Sequence, residues 1–251
     1  MPYTKYTGAI APETGAHTKQ YWGTTLAGET LTGTDANETF DGKGGGDTYV
    51  GGRGDDRYYV KNKADVVIEK PGEGIDTVHV WHNYVLGENL ENLIQGGDKT
   101  YAAGNALDNI VRGLAGSQQI YGGLGNDVLE GGAGADVFIV HKGEGSDAVT
   151  DFSVVEDKLR LKAGFTSFEQ VKAAMTQVGA DVKIDFGNGE GLLLRNTTVD
   201  SFTAANFQLE LDYSKLGAVT FYDGFDTLSL YHATYAPDGV WRTEYGYGGA
   251  G

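Results

Sequence analysis

The 251-residue sequence contains no cysteine, which excludes both a disulfide framework and a thiolate metal site. No run of about twenty apolar residues is present, so no membrane insertion through a spanning helix is expected. Cations are scarce: 19 Lys and Arg stand against 35 Asp and Glu, for a formal charge of −16. A chain of that sign makes a poor partner for nucleic acid or an anionic membrane and a good one for cations. The five histidines are scattered, and His79 and His82, three apart in a predicted strand, face opposite sides. Without a cysteine and histidine cluster, zinc is disfavoured. HExxH, GxSxG and Walker sequences are also missing, which leaves hydrolytic and nucleotide-driven chemistry without a motif. The opening MPYTKYTGAIAPETGAHTKQYW lacks the basic-then-apolar order of a secretory signal. Either the protein stays inside the cell or it leaves by a route that reads no N-terminal signal.

Glycine is abundant, at 40 residues against only 4 prolines, so turns must recur throughout. A glycine-rich acidic chain could be disordered, but 40% hydrophobic residues, with 15 Tyr and 10 Phe, argue for burial of apolar surface. Periodicity decides for order. Gly122 to Ile139 reads GGLGNDVLE and then GGAGADVFI, two nine-residue units of the form Gly-Gly-x-Gly-x-Asp-x-apolar-x. A first block, GTDANETFD, GKGGGDTYV and GGRGDDRYY, starts at Gly33, Gly42 and Gly51. A second, GNALDNIVR, GLAGSQQIY and the pair just quoted, starts at Gly104, Gly113, Gly122 and Gly131. Phe40, Tyr49, Tyr58, Val111, Ile120, Leu129 and Phe138 thus recur in phase with the glycines. A nine-residue unit cannot bury its own apolar residue, so a stacked solenoid follows.

Residues 61–103 lose the glycine loops but keep the strand-like ADVVIEK, IDTVHVWHNYVL and ENLIQGG, and are expected to form coils with longer turns. The register is reset there, because Tyr58 to Val111 is one residue short of a multiple of nine. After the repeats, Ser167 with Gln170 makes a capping box, and Phe168, Val171, Met175 and Val178 follow helical spacing. ADVKIDF and GLLLRN predict a β-hairpin, and SFTAANFQL a closing helical turn. The organisation expected is a lead-in over 1–30, a roll over 31–145, a C-terminal cap over 146–210, and a different, aromatic-rich segment over 211–251.

In a two-sided coil, loops on one side lie eighteen residues apart and stack at the ~4.8 Å strand spacing. A hard cation can then take carboxylates from two loops and carbonyls from the glycine turns. Oxygen-only ligation in such loops favours Ca²⁺ over Mg²⁺, with several ions, about five, offsetting the stacked acids. Steps of eighteen pair Glu38 with Asp56 and Asp47 with Asp65, and bring Asp56 near Asp76. Asn109 pairs with Asp127 and Gln118 with Asp136, so these two sites are expected to be weaker. Asp127 and Asp136 look forward to Asp147 and Asp151. The metal candidates also include Asp55 and Asn126 and the loop residues Gly42, Gly44, Gly51, Arg53, Gly122, Leu124, Gly131, Ala133 and Ala135. The competing reading is that these aspartates merely cap turns.

GGLGNDVLEGGAGADVFI resembles the RTX family of haemolysin-type calcium-binding repeats, over about residues 31–210, with GEGIDTV, LENL and GNALDN similar to its spacers. The resemblance implies an all-β, right-handed parallel β-roll with a C-terminal cap holding one helix and a β-hairpin. It also implies calcium-dependent folding, the type I secretion apparatus as a partner, and an extracellular location. FYDGFDTLSL and VWRTEYGYGG resemble the first strands of glycoside hydrolase family 16, whose catalytic Glu-x-Asp-x-x-Glu motif is absent here. That resemblance implies a chain without catalytic residues, from a parent enzyme acting on O-glycosyl bonds of a polysaccharide. The alternative is a calcium-dependent polysaccharide-binding or adhesion module, using Trp81, Tyr84 or Tyr121 to stack on sugars.

Overall fold

The computed structural model describes residues 17, 19–24, 28–209, 231–235 and 241–245. The chain divides into two units, Met1–Leu209 and Glu210–Gly251.

The first unit is a parallel β-roll. Along one face runs an eleven-stranded sheet: Lys19–Trp22, Glu38–Asp41, Arg57–Val60, Thr77–Val80, Asn92–Gln95, Ile110–Gly113, Val128–Glu130 and Ser146–Val149, then three strands of the cap. The opposite face is split between a three-stranded sheet, Thr30–Thr32, Thr48–Val50 and Val66–Ile68, and a six-stranded one from Tyr84–Val85 to Phe207–Leu209. Successive strands alternate between faces, as a nine-residue unit with one short strand requires. The parallel arrangement already begins at Lys19–Trp22, which pairs with Glu38–Asp41.

All seven nine-spaced apolar residues are fully buried. Phe40 pairs with Tyr58, Tyr58 with Val78, Val78 with Leu93, Leu93 with Val111 and Val111 with Leu129, a continuous interior column on one face. Ala102, Ile120, Phe138 and Leu159 form its counterpart on the other. Aromatic contacts reinforce the first coils, where Phe40 stacks at 5.0 Å on Tyr21 and at 5.1 Å on Tyr58. Burying each large side chain of this kind contributes about 1.5–3 kcal/mol, and no coil obtains it without a neighbour.

The spacer 61–103 does form coils of the same roll. Tyr58 to Val78 spans twenty residues and Val78 to Leu93 fifteen, so together they fall one short of two regular coils. This is the register reset, and the second face breaks into two sheets at the same place.

The cap combines a helix, Phe168–Ala174, with a hairpin of Asp181–Gly187 and Glu190–Leu194. Ser167 is the N-cap and accepts from the Gln170 amide. The helix is shorter than its apolar spacing predicts. Met175–Val178 is instead a strand antiparallel to Asp181–Gly187, with Gly179 at φ +64° in the turn between them. Glu190–Leu194 then lies parallel to Ser146–Val149, so the hairpin covers the open edge of the large sheet. SFTAANFQL follows the 3-10 turn Val199–Ser201 and supplies a second one, Ala204–Asn206, and the strand Phe207–Leu209.

In the second unit, Tyr231–Tyr235 and Trp241–Tyr245 form an antiparallel pair. The segment FYDGFDTLSL and residues 1–16 of the lead-in lie outside the described residues. Among the described residues no helix is long and apolar enough to cross a membrane.

Candidate metal centres

The loops that turn the chain between faces are built so that carboxylates meet across coils. In GGLGNDVLE, Gly123 and Gly125 take φ of +101° and +115°. A Cβ at either would collide with a carbonyl of the preceding coil, that of Asn105 or Leu107. Only glycine allows this approach, which lines loop carbonyls up along the edge of the roll.

Entering the large sheet, the acids form a row. Backbone amides donate forward from Glu38 to Asp56 (2.8 Å), Asp56 to Asp76 (2.8 Å), Asp76 to Glu91 (2.8 Å), Asn109 to Asp127 (2.7 Å) and Asp127 to Asp147 (3.0 Å). A second row on the opposite edge joins Glu29 to Asp47, Asp47 to Asp65, Gln118 to Asp136 and Asp136 to Asp157 at 2.7–3.0 Å. In every case one oxygen of the acid takes the N–H. The second oxygens of Asp47, Asp56, Asp76, Asp127 and Asp136 are buried without a hydrogen-bond partner. Turn capping explains the first oxygen and leaves the second unexplained.

The ground beside those oxygens is kept open by glycine. A Cβ on Gly42, Gly51, Gly122 or Gly131 would collide with the free oxygen of Asp47, Asp56, Asp127 or Asp136, respectively. Burial pushes the Asp56 carboxyl up to about 7, that of Asp76 up to about 8 and that of Asp136 up to about 6. Asp127 and Asp147 are raised by burial, and each acid's charge opposes ionisation of neighbouring acids. Buried, unpaired, oxygen-only donors in rows suit a hard divalent cation, so the residues present fit calcium.

Not every expected residue contributes in the same way. Both oxygens of Asp65 are used, one by the Asp47 amide and the other by the amides of Lys61 and Asn62. Glu38 is engaged by the Thr34 amide at 2.7 Å and by Lys19 at 3.6 Å. Asp151 is exposed and accepts from the amides of Gly131 and Gly132, while Asp157 is the acid that reaches Asp136. Asp55 and Asn126 belong to an outer ladder that runs the other way, with Asp55 accepting from the Ile75 amide and Asn126 from that of Ser146. Gly44 is half-buried, while Arg53, Leu124, Ala133 and Ala135 are exposed loop positions. The Ala133 carbonyl already accepts from Gly116.

Asn109 and Gln118 do differ from the acids around them. The Asn109 amide donates to the carbonyls of Leu90 and Glu91, and that of Gln118 to those of Gly97 and Ala115. Their N–H groups bond the carbonyl oxygens that a cation would otherwise attract. Three acids escape a sequence search in steps of eighteen. Glu91 lies fifteen beyond Asp76 and Asp157 twenty-one beyond Asp136, because both follow coils of altered length. Glu69 stands eighteen after Gly51, at a place where the repeat has glycine.

The family of RTX calcium-binding nonapeptide repeats, in four copies, matches residues 25–59 and 103–138. Over 189 residues the chain is 43% identical to endo-1,3-1,4-beta-glycanase ExsH and 40% identical to endo-1,3-1,4-beta-glycanase EglC, both of Rhizobium meliloti (strain 1021). Each match covers 75% of this chain and 40% of the relative, so the chain spans well under half the length of these relatives. Among solved structures, extracellular lipase LipA from Serratia marcescens matches with a TM-score of 0.44 and 16% identity, over 80% of this chain and 42% of the lipase.

Proposed function

We propose that this chain, which carries RTX calcium-binding nonapeptide repeats, is the calcium-binding module of a secreted polysaccharide-degrading protein of glycoside hydrolase type. The observation that carries the reading is the two rows of buried acids, five of them with an oxygen left unpartnered. Asp47, Asp56, Asp76, Asp127 and Asp136, with Asp147 and Asp157 across from the last two, would hold the ions. A bound divalent cation would neutralise the facing carboxylates. The chain's own glycine turns set the distance between those carboxylates, and the apolar columns fix their register.

On this reading the module leaves the cell through a type I secretion channel and folds where calcium is plentiful. The parent's catalytic machinery lies outside this chain, with residues 211–251 the start of a glycoside hydrolase-like domain and 146–210 the cap of the roll. The names of the two relatives support the polysaccharide part. Calcium titration of the full chain by calorimetry tests the module itself. Several Ca²⁺ per chain are expected, with millimolar Mg²⁺ failing to displace them, since magnesium demands a smaller octahedral cage. A chain that takes up no calcium would refute the reading.

One observation favours the alternative, calcium-dependent binding of polysaccharide. Trp81 is about half exposed and lies nearly parallel to Tyr59, with centroids 6.3 Å apart and planes at 15°, while His79 packs on Tyr59 at 4.9 Å. Such a partly exposed ring pair can accept a sugar face. Tyr84, by contrast, packs against the core, and Tyr121 rests on His141 at 5.0 Å. If the platform works, Trp81→Ala should abolish the calcium-dependent retardation of the chain in acidic-polysaccharide gels; retardation of the variant equal to that of the original chain would exclude it.

A further inference from the structure

Glu69 occupies a position where the nonapeptide pattern calls for glycine, eighteen residues beyond Gly51 and eighteen before Gly87. It closes the strand Val66–Ile68 and belongs to the spacer, outside both repeat blocks. A glycine there would leave the row to the aspartates. Glu69 instead sends its side chain inward, where one oxygen accepts from the Gly51 amide at 3.2 Å and from the Tyr58 hydroxyl.

Its other oxygen is buried without a partner, as are Oδ2 of Asp56 and Oδ2 of Asp76. The three residues are 6%, 1% and 1% exposed, and one carboxylate oxygen from each lies within 4.8 Å of the others. Three acids converging in the interior, each with an oxygen unsatisfied, cannot be accounted for by turn capping. Oxygens no more than 4.8 Å apart leave a point within about 2.8 Å of all three, a few tenths of an ångström beyond the ~2.3–2.6 Å of calcium–oxygen bonds.

From this geometry we infer that Glu69 completes a three-carboxylate calcium site with Asp56 and Asp76, the tightest site on the chain, and so makes the spacer part of the metal centre. The inference rests on the calcium reading above and adds to it a ligand that the repeat pattern does not contain. Three carboxylates give this site more negative charge than the two-acid sites along the rows, and calcium affinity rises with ligand charge. The site also has a structural consequence. It joins the last glycine loop of the first block to the loop that closes the twenty-residue coil, where the register changes.

The test is a calcium-binding isotherm of the full chain and of E69Q, with E130Q as a control, since Glu130 is paired with Arg112 and accepts no amide of either row. E69Q should weaken the tightest ion roughly tenfold or more and leave the remaining ions and the control unchanged. In calcium-free buffer with enough sucrose to keep the roll folded, E69Q should be no less stable than the original chain, because the substitution removes a buried acid whose second oxygen has no partner. A merely structural Glu69 predicts the opposite, a less stable variant with unaltered calcium affinity, and that result would overturn the assignment. Should E69Q fail to fold in saturating calcium, Y58F keeps all three carboxylates and removes the nearest tyrosine ring. Tyrosine-sensitised emission from the first terbium ion bound should then fall sharply, and unchanged emission would also overturn the assignment. If the original chain binds no calcium, the broader reading fails; if it binds normally and only E69Q is silent, Glu69 alone is wrongly placed.

Discussion

Stripped of calcium at pH 7.5, the chain is expected to lose its β-structure, and to recover it when calcium is restored. The roll brings Asp56, Glu69 and Asp76 together on one edge, Asp127 against Asp147 several coils further along it, and Asp136 against Asp157 on the other. Without a cation each group either ionises beside its neighbours or is held protonated, and both states cost free energy in a buried site. The interior column does not offset this freely, since every coil contributes only one or two large apolar residues per face. Extracellular calcium modules bind with Kd near ~10⁻⁴–10⁻³ M, so a tenfold excess of free calcium contributes about 1.4 kcal/mol per site. On the order of five ions would then supply about 7 kcal/mol, comparable to the whole stability of an ordinary domain. Far-ultraviolet circular dichroism should show a disordered spectrum in EGTA and a β-spectrum in 10 mM Ca²⁺ (a concentration chosen as roughly tenfold over the weakest such Kd), with a cooperative transition between. Magnesium at the same concentration should not substitute. A β-spectrum and a denaturant midpoint that are the same in EGTA and in calcium would mean that the rows are self-sufficient, and the folding switch would fall.

How far this was legible in advance depends on which residues obey the nine-residue step. Phe40, Tyr49, Tyr58, Val111, Ile120, Leu129 and Phe138 do, and all seven are buried in the core. The same arithmetic placed Asp56 on Glu38, Asp65 on Asp47, Asp127 on Asn109 and Asp136 on Gln118, each joined by a hydrogen bond at a separation of eighteen. It stopped working where coil length changes. Glu91 and Asp157 sit on coils of fifteen and twenty-one residues by their hydrogen-bond partners, so no fixed step could reach them. Asp151 was near the right distance from Asp136, yet it binds the amides of Gly131 and Gly132 instead. Loop geometry, which sequence spacing does not encode, decides between two acids only six apart. Glu69 lies an eighteen-residue step from a glycine, Gly51, so a step taken from acid to acid passes it by. The helix shows the same limit: Met175 and Val178 fit helical spacing, but pairing with Ile184 and Asp181 holds them in a strand. Spacing records which residues can share a face, while the partner strand decides which periodicity is used.

The second large effect concerns pH, and its sign should reverse with calcium. In the metal-free chain, burial raises Asp56 to about 7, Asp76 to about 8 and Asp136 to about 6, and raises Glu69, Glu91 and Asp157 as well. Unfolded aspartate titrates near ~3.9, so these folded values lie above the unfolded ones. A raised folded pKa means that the fold binds protons more tightly than the unfolded chain does. The stabilisation is therefore fully present below about pH 4 and is lost as pH rises through 6 to 8. Whatever roll survives in EGTA should accordingly resist urea better at pH 5 than at pH 8. Calcium requires the same carboxylates ionised, so its binding displaces protons and strengthens across that window. In saturating calcium the urea midpoint should instead rise from pH 5 to pH 8. Titrations in buffers of different ionisation enthalpy should show proton release on binding at pH 6 to 7, within the interval set by Asp136 and Asp56. Parallel pH profiles with and without calcium would show that the unpartnered oxygens are not where the ions bind, because only a ligand competing with those protons can invert the slope.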